Sequence, residues 1–329
     1  MKVKRREVLS AASAAVATAM AATGRGAQAW ALTFPSKPIR WIIPFAAAGN
    51  YDVTSRLVGE AMGRRLGQTV IPDNRPGAGG IVGMEAAANA PADGYTVVMG
   101  SFSVLWVAPY LAGKPSMIPL FAPISLLTTV PMVIVAKVGG RFADMKAVLA
   151  EARAKPGTVS IGHAGNGTTN HIGILRLQVN EKVQFNIIPY KGSGPGLSDL
   201  MADQIDLYTD QLTTSLPQIK AGKLKALLVL SPDRIAQLPD VPSLSDIGTQ
   251  PFDGGTTAGV FARVETPAPM LDTLNGAVVT ALKDEEVARK LVELGALVRP
   301  STRAEFAAYM KDQEAGVSEL VKSGLLKPE

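Results

Sequence analysis

Two short stretches of small and hydroxyl-bearing residues are suited to binding an anion, because each stands between an apolar run and a helix-patterned segment. The first, Ala47–Asp52, follows the apolar run Ile39–Phe45 and precedes apolar residues at helical spacing that end at Gly67. A helix N-terminus presents unpaired backbone N–H groups and a dipole that favours negative charge. The pattern therefore predicts a site for a small carboxylate and no catalysis.

The second stretch, Gly165–Thr169, repeats this arrangement after a predicted strand at Val159–Gly162. Its residues Gly165, Asn166 and Gly167 tolerate unusual backbone angles, and Thr168 and Thr169 can cap a helix or offer hydroxyls. Two such loops facing each other across a cleft would bind two carboxylate ends, or one carboxylate between them. An ordinary capped turn remains the alternative.

Asp210 is a further candidate, since it lies at the C-terminal end of a predicted strand. Open α/β sheets bind ligands at that edge. A solvated turn acid is the alternative for this residue.

Other chemistries find little support in the residue pattern. His163 and His171 are the only histidines and lack a ligand-spaced partner, so we expect no metal site. The cluster Gly77–Gly83 has Val82 where a dinucleotide fingerprint needs its third glycine, so we expect no nucleotide cofactor. No Gly-x-Ser-x-Gly elbow occurs, although a Ser–His–Asp set built from distant residues stays open.

Residues 1–29 have the pattern of an export signal. A basic start is followed by the alanine-rich run Val8–Ala22 and a small-residue cleavage site at Ala27–Ala29. The Arg5-Arg6 pair resembles a twin-arginine signal, and the general secretory route is the alternative. The chain has no cysteine, which excludes disulfides, thiolate chemistry and a lipidated anchor. We therefore expect an exported, soluble, unanchored periplasmic protein.

The basic excess of the whole chain comes from the predicted signal. Segment 1–29 holds five of the 33 basic and one of the 28 acidic residues, so the remainder has a net charge of +1. This balance gives no argument for a nucleic-acid or membrane-surface partner.

Strand and helix patterns alternate along the rest of the chain, which predicts an α/β protein with mainly parallel sheets flanked by helices. The apolar run Ile124–Ala136 is long enough to pass from one domain into another, and a return crossing is expected near Thr256–Phe261. We predict a first lobe formed by residues 30–131 and 253–329, a second lobe formed by 132–252, and a ligand cleft between them.

A set of motifs identifies the resemblance to a known family. They are Phe34–Phe45 (FPSKPIRWIIPF), Asp73–Gly80 (DNRPGAGG), Ala92–Thr96 (ADGYT), Pro189–Pro195 (PYKGSGP), Ala221–Leu227 (AGKLKAL), Leu238–Ser243 (LPDVPS) and Leu294–Ala296 (LGA). In this order they resemble the Bug-type (TctC-like) solute receptors of tripartite tricarboxylate transporters. The resemblance covers essentially all of the chain after the predicted signal.

The resemblance implies a monomeric, two-lobed periplasmic binding protein of type II-like fold. It would close on a small carboxylate and deliver it to membrane permease subunits. The residues implied as ligand contacts are Phe45, Ala47, Asn50, Tyr51, Asp52, Ser101, Ser103, Gly165, Asn166, Gly167, Thr168, Thr169, Tyr190 and Asp210. No catalytic residue and no cofactor are implied.

The first loop departs from the family pattern at three positions, of which Asn50 and Tyr51 add the most side-chain bulk. The family usually reads Gly-Gly-Gly-Thr-Asp where this chain reads Ala48-Gly-Asn50-Tyr51-Asp52. We interpret Tyr51 as an aromatic wall for an aromatic or unsaturated acid. The alternative is that Tyr51 points away from the ligand. Two other functions stay open at this point, a periplasmic hydrolase or isomerase using the same cleft and a sensor subunit for a membrane kinase.

Overall fold

The computed structural model describes residues 34–322, 324 and 326–328. The predicted export signal at 1–29 and the first four residues of the predicted first lobe, 30–33, lie outside the described residues. Within the described part, no helix is both long and apolar enough to cross a membrane.

The strands form two separate sheets. In chain order the strands are β1 (Ile39–Ile43), β2 (Val70–Asn74), β3 (Thr96–Gly100), β4 (Phe121–Val130), β5 (Met132–Lys137), β6 (Ser160–His163), β7 (Asn186–Pro189), β8 (Leu207–Gln211), β9 (Leu224–Val229), β10 (Thr256–Arg263) and β11 (Leu297–Val298). The first sheet has the order β11-β4-β10-β3-β1-β2, and the second has the order β7-β6-β8-β5-β9.

Helices cover both sheets. They are α1 (Asn50–Leu66), α2 (Ile81–Ala88), α3 (Ala108–Leu111), α4 (Met145–Ala154), α5 (Thr169–Glu181), α6 (Ser193–Met201), α7 (Leu212–Lys220), α8 (Ala268–Lys283), α9 (Glu285–Glu293) and α10 (Arg303–Lys322). Short 3₁₀ turns lie at Ala78–Gly80 and Ile118–Leu120, and one turn of π-helix, Ser103–Val107, leads into α3. The sequence patterns did not indicate this π-helical turn.

The sheets are mixed rather than mainly parallel, which corrects the prediction. In the first sheet β1 is parallel to β2 and β3, but β10 runs antiparallel to both β3 and β4. In the second sheet β6 is parallel to β7 and β8, whereas β5 runs antiparallel to β8 and β9. The chain passes between the sheets twice, in opposite directions. It leaves the first sheet through β4 and returns to it through β10, so these two strands run antiparallel.

The apolar run that was expected to cross between domains is divided by Pro131. It forms β4 in the first sheet and β5 in the second, with Pro131 as the single residue between them. Proline has no N–H to donate to a strand partner, so a strand interrupted there can change sheets. The return from β9 to β10 takes the longer segment 230–255.

Apolar packing places the C-terminal helices on the first sheet. Helices α8 and α10 pack against β4, and α8 also packs against α1. The Phe306 ring of α10 lies 4.7 Å from the Phe261 ring of β10, and both side chains are fully buried. Residues from both the N-terminal and the C-terminal parts of the described sequence therefore build the core on the first sheet. We call the part of the chain built on the first sheet the first domain and the part built on the second sheet the second domain. The loops that follow β1 and β6 lie between these two domains.

Candidate functional site

The loop between β1 and α1 is shaped by Asp52. Its carboxylate accepts hydrogen bonds from Ala48 N–H (3.0 Å), Arg56 Nε (2.9 Å) and Asn74 Nδ2 (3.1 Å). Burial alone raises the pKa of Asp52, but these donors outweigh it and keep the pKa below its usual value. The hydrogen bond from Ala48 N–H to Asp52 also holds Ala48 in the left-handed region of backbone angles, at φ +62°. Asp52 thus fixes the loop.

The N-terminus of α1 is open to an acceptor. Gly49 provides no side-chain cap, so the first-turn N–H groups of Asn50, Tyr51 and Asp52 are left without one. Asn50 is buried, and its Oδ1 accepts a hydrogen bond from Thr213 Oγ1 at 2.7 Å. Its Nδ2 is buried and has no partner among the described residues. A buried amide donor without an acceptor indicates a position that a ligand oxygen can fill.

Tyr51 lies inside the protein and does not project into solvent. Its ring packs edge-on against Phe45 with the centroids 5.1 Å apart, and only 5% of the residue is exposed. Burial raises the Tyr51 pKa well above its usual value, although the nearby Ser101 hydroxyl opposes that effect. Hydroxyl contacts run from Ser101 to Ser103 (2.9 Å) and from Ser103 to Thr169 of the other domain (3.4 Å).

The loop between β6 and α5 supplies a second helix N-terminus. Thr168 Oγ1 accepts from His171 N–H (3.4 Å) and donates to Gly165 O (2.6 Å), so it caps the helix and closes the turn. This cap accepts the backbone N–H of His171, the third residue of α5. The first-turn N–H groups of Thr169 and Asn170 are left for another acceptor.

His163 and His171 accept hydrogen bonds from the backbone of this loop on the side away from the cavity. Gly165 N–H donates to His163 Nδ1 and Gly167 N–H donates to His171 Nδ1, each at 3.2 Å, and the two rings stack with centroids 4.6 Å apart. Burial lowers the pKa of His163 to about 3 and that of His171 to about 4, so both rings are neutral near pH 7. The N–H groups of Gly165 and Gly167 are therefore occupied, and Thr169 and Asn170 carry the accessible donors of the loop.

These two loops meet at a small inner cavity of about 20 Å³. The cavity is lined by Phe45, Gly49, Asn50, Tyr51, Ser103, Val104, Ala164, Thr168, Thr169, Asn170, Gly192, Ser193, Gln211 and Thr256. None of these side chains carries a charge. Hydroxyl, amide and backbone donors surround this space, and no carboxylate lies on its wall.

Gln211 connects the two domains at this cavity. Its Nε2 donates to Asn170 Oδ1 (3.0 Å) and to Thr256 Oγ1 of β10 (3.3 Å), while its Oε1 accepts from Ser193 Oγ (3.4 Å). This network orients the amide of Asn170, whose Nδ2 donates to Thr209 O at 2.7 Å. The polar wall is thus held by its own hydrogen bonds before any ligand arrives.

Backbone from one domain touches backbone from the other beside this cavity. Ala46 N–H donates to Lys191 O at 2.9 Å. A Cβ added at Gly79 would lie 2.1 Å from the Asn166 carbonyl oxygen, and one added at Gly167 would lie 2.4 Å from Ala108 Cα. Glycine at these positions permits the close approach of the two loops.

The structure places the predicted site residues in two groups. Those that line the inner cavity are Phe45, Asn50, Tyr51, Ser103, Thr168 and Thr169. Those that lie beside or behind it are Ala47, Asp52, Ser101, Gly165, Asn166, Gly167, Tyr190 and Asp210. Tyr190, for example, donates to Asp199 Oδ2 at 2.9 Å, and burial and that carboxylate raise its pKa to about 12.

Asp210 is buried beneath the cavity and does not form part of its wall. Its Oδ2 accepts hydrogen bonds from Thr214 Oγ1 and Ser215 Oγ, both at 2.5 Å, in the first turn of α7. Burial raises the pKa of Asp210 above its usual value, although the hydroxyl donors oppose that effect. Because successive strand residues point to opposite faces, the neighbouring Gln211 reaches the cavity instead.

Several lining residues were not predicted, and some had a usable signal. Ser193 begins a helix after β7, which is the same strand–loop–helix pattern that indicated the other two loops. Asn170 lies one residue beyond the predicted stretch. Thr256 gave no signal, because it reaches the cavity only through the pairing of β10 with β4.

Comparison with known proteins assigns the family. Residues 54–325 match the family described as the tripartite tricarboxylate transporter family receptor, TctC. The chain belongs to this family. A relative from Pseudomonas sp. (strain P51), named as a UPF0065 protein in the tcbD–tcbE intergenic region, is 36% identical over 298 residues and spans 88% of this chain and 86% of that protein.

Solved structures of similar proteins have the same fold. The periplasmic binding protein BugD is 31% identical with a TM-score of 0.85, covering 90% of this chain and all of BugD. MatC from Rhodopseudomonas palustris, solved with bound malate, is 30% identical with a TM-score of 0.81, covering 88% of this chain and all of MatC.

These findings confirm the predicted resemblance and the α/β periplasmic-binding-protein fold. The chain is a solute-binding protein of the TctC/Bug family, and the names of the family and of BugD are those of receptors or binding proteins rather than enzymes. In the part of the chain that the structure describes, no three metal-ligating His, Asp or Glu side chains lie together.

Proposed function

We propose that this chain is a periplasmic receptor that captures a small carboxylate and presents it to the membrane permease subunits of a tripartite tricarboxylate-type transporter. The observation that carries the proposal is the meeting of two helix N-termini, at Asn50 and Thr169, at one uncharged inner cavity. Helix N-termini bind anions through N–H groups and the helix dipole. The malate bound by the related MatC supports a carboxylate as the ligand class.

The ligand carboxylate is held from both domains. The N–H groups of Asn50 and Tyr51, with Asn50 Nδ2, bind one side of it, and the N–H groups of Thr169 and Asn170 bind the other. These donors are positioned by other residues of the same two loops, namely Ala47, Asp52 and Gly165–Gly167. Ser101 positions the Ser103 hydroxyl. Asp210 and Tyr190 support the second domain beneath the site. Closure then brings both sets of donors to the same ligand.

We expect an aromatic or unsaturated acid to bind more tightly than citrate. The perpendicular rings of Phe45 and Tyr51 form an apolar wall beside the donors, and Val104 extends that wall. A tricarboxylate would place further negative charges where the inner cavity has no cation to pair with them. Isothermal titration with citrate and benzoate tests this, and equal or tighter binding of citrate would contradict it.

The receptor binds its ligand without converting it. The two histidines use Nδ1 to accept backbone N–H groups and lie behind the loop, so neither is placed as a general base for a cavity ligand. The cavity hydroxyls of Ser103 and Ser193 have no histidine partner among the described hydrogen bonds. Incubation of the protein with its ligand, followed by chromatography, should return the ligand unchanged; any accumulating product would indicate an enzyme.

We propose that the chain forms two lobes that move about the crossings between the sheets. We take residues 30–131 with 253–329 as the first lobe and 132–252 as the second, with Pro131 in one crossing. We expect an exported, unanchored monomer. Small-angle scattering of the chain lacking residues 1–29 should give the mass of one subunit and a radius of gyration that decreases when a carboxylate is added.

A thermal-shift screen tests the function itself. The chain lacking residues 1–29 is heated with mono-, di- and tricarboxylates, both aliphatic and aromatic, and with uncharged amides of the same acids. A ligand at 100 times its dissociation constant stabilises the folded protein by about 2.7 kcal/mol, which raises the melting temperature. Stabilisation by an acid and not by its amide supports the proposal. No response to any carboxylate contradicts it.

A further inference from the structure

An outer cavity of about 200 Å³ adjoins the inner one. Ser103 and Thr169 line both cavities, so the hydroxyl contact between them stands at the boundary. The walls of the outer cavity are apolar around Phe102, Val107 and Phe252, and it also borders α10 at Tyr309. A ligand held in the inner cavity could therefore extend past this boundary into a second, larger space.

One face of α5 runs from the inner cavity along the outer one. Thr169, Ile172, Gly173 and Arg176 all line the outer cavity, and their spacing of i, i+3, i+4 and i+7 places them on the same side of the helix. Seven residues of α-helix span about 10 Å, and helical side chains lean back toward the N-terminus. The Arg176 guanidinium thus lies within about 10 Å of the helix N-terminus that faces the inner cavity.

Arg176 is unusual among the described arginines. It is half-buried, and no hydrogen bond or ion pair joins it to any described residue, whereas the others either pair with a carboxylate or, like Arg65 and Arg299, are exposed. Its guanidinium carbon lies 5.2 Å from the centre of the Phe252 ring. Desolvation lowers its pKa, and Asp253 opposes that effect. A desolvated guanidinium with unused donors is a strong site for a carboxylate.

Two acids also border the outer cavity, and both are exposed at its rim. Asp253 uses Oδ1 to accept from Gly255 N–H at 2.8 Å, and Asp312 lies on the exposed side of α10. Water screens exposed charges much more than half-buried ones. The cation at Arg176 therefore dominates the inner part of this cavity, while the rim disfavours an anion that reaches further out.

We propose that the outer cavity is a second subsite, in which Arg176 binds the distal anionic group of an elongated organic acid. This inference rests on the proposed function, since the proximal carboxylate occupies the inner cavity. The apolar or aromatic middle of the ligand lies along Ile172 and Gly173. The preferred class is a dicarboxylate whose two acid groups are separated by a rigid or extended apolar body, and short hydroxy-acids do not reach Arg176.

The test compares acids that differ only in the distal group. Benzoate is paired with terephthalate, and octanoate with suberate, in isothermal titration of the wild-type chain lacking residues 1–29. The variant Arg176→Gln should weaken binding of the diacids by about tenfold to a hundredfold, because a charge-assisted hydrogen bond is lost. The monoacids should keep their affinity. Arg65→Gln is the matched control, since it removes the same charge from an exposed position.

The outcomes separate the two proposals. If the monoacids bind the wild type and Arg176→Gln leaves diacid affinity unchanged, the outer subsite is wrong and the receptor function stands. If Arg176→Gln weakens monoacids and diacids equally, Arg176 acts on the fold or on closure, and the subsite is likewise overturned. If no carboxylate binds the wild type, the proposed function fails and the subsite fails with it.

Discussion

Asn50 Oδ1 of the first domain accepts a hydrogen bond from Thr213 Oγ1 of the second at 2.7 Å. The same amide keeps its Nδ2 buried and without a described partner beside the inner cavity. One side chain thus joins the two domains with one atom and offers a donor to a ligand with the other. We expect closure and ligand recognition to be coupled at Asn50, because the contact between the domains also orients the donor.

Removing the interdomain contact should weaken ligand binding. Thr213→Val keeps the shape of the side chain and removes the donor, which costs the closed form about 1 kcal/mol. We expect roughly a fivefold loss of carboxylate affinity in isothermal titration. Thr54→Val is the control, since Thr54 donates to the same oxygen at 3.5 Å from within α1. Equal losses in the two variants would contradict a role for the interdomain contact.

Introducing a negative charge at Asn50 should have a larger effect. Asn50→Asp replaces the free Nδ2 donor by a carboxylate oxygen that faces the ligand's own charge. We expect a loss of affinity on the order of 100-fold, compared with about tenfold for Asn50→Ala, which only removes the donor. Titration calorimetry with the best acid from the thermal-shift screen measures both. An Asn50→Asp protein that binds as tightly as Asn50→Ala would place the ligand elsewhere.

A side chain at Gly79 should prevent closure without unfolding the first domain. The Cβ of Gly79→Ala would meet the Asn166 carbonyl oxygen of the other domain at 2.1 Å, and Gly79 also has φ +63°. Gly67→Ala is a matched control, because Gly67 has φ +66° but nothing lies within 4 Å of its Cβ.

Each substitution costs roughly 1 kcal/mol of left-handed strain, so both should lower the melting temperature slightly. Only Gly79→Ala should lose ligand affinity, by at least about tenfold, since 1.4 kcal/mol of penalty on the closed form suffices for that factor. Small-angle scattering should show that this variant stays extended in the presence of ligand. A compact Gly79→Ala complex would contradict the closed arrangement of the two loops.

The stacked histidines should make the protein sensitive to acid. The pKa of His163 is lowered to about 3 and that of His171 to about 4 in the folded protein, whereas an unfolded histidine titrates near 6.5. The unfolded chain therefore binds more protons as the pH falls from about 6.5 to 4. In that window each histidine removes roughly 1.4 kcal/mol of stability per pH unit.

Denaturant unfolding between pH 4 and pH 8 measures this loss. The variant His171→Asn serves as the comparison, because its Oδ1 can still accept the Gly167 N–H while one titrating ring is removed. We expect a shallower loss of stability below pH 6.5 in the variant. The same slope in both proteins would show that other groups cause the acid sensitivity.

The strand–loop–helix units were predictable because each leaves a local pattern. The apolar run of β1, the small residues of the first loop and the spacing in α1 lie within 30 residues of one another, and the structure follows them closely. The strand directions were not predictable in this way. The pairing of β10 with β3 and β4 joins residues more than 100 positions apart, and no local pattern states its direction.

The sequence predicted which loops would form the candidate site, but it did not predict which atoms of those loops would be available to a ligand. Thr168 and Asn50 were recognised by residue type and position, but the use of the Gly165 and Gly167 N–H groups by histidines depends on ring placement. At the end of β8 the sequence indicated Asp210, whereas in the structure the neighbouring Gln211 faces the cavity. Successive strand residues point to opposite faces, so a shift of one residue along the strand would exchange the side chain that faces the cavity.

The uncharged lining of the inner cavity has a consequence for the conditions in which the receptor works. Dissolved salt weakens attraction to exposed cations, and the Debye length falls from about 10 Å at 0.1 M to about 3 Å at 1 M. Neutral donors inside a closed cavity are largely spared this screening. Capture of the proximal carboxylate should therefore persist when the osmotic and ionic state of the surroundings changes, and contacts at the half-buried Arg176 should respond first.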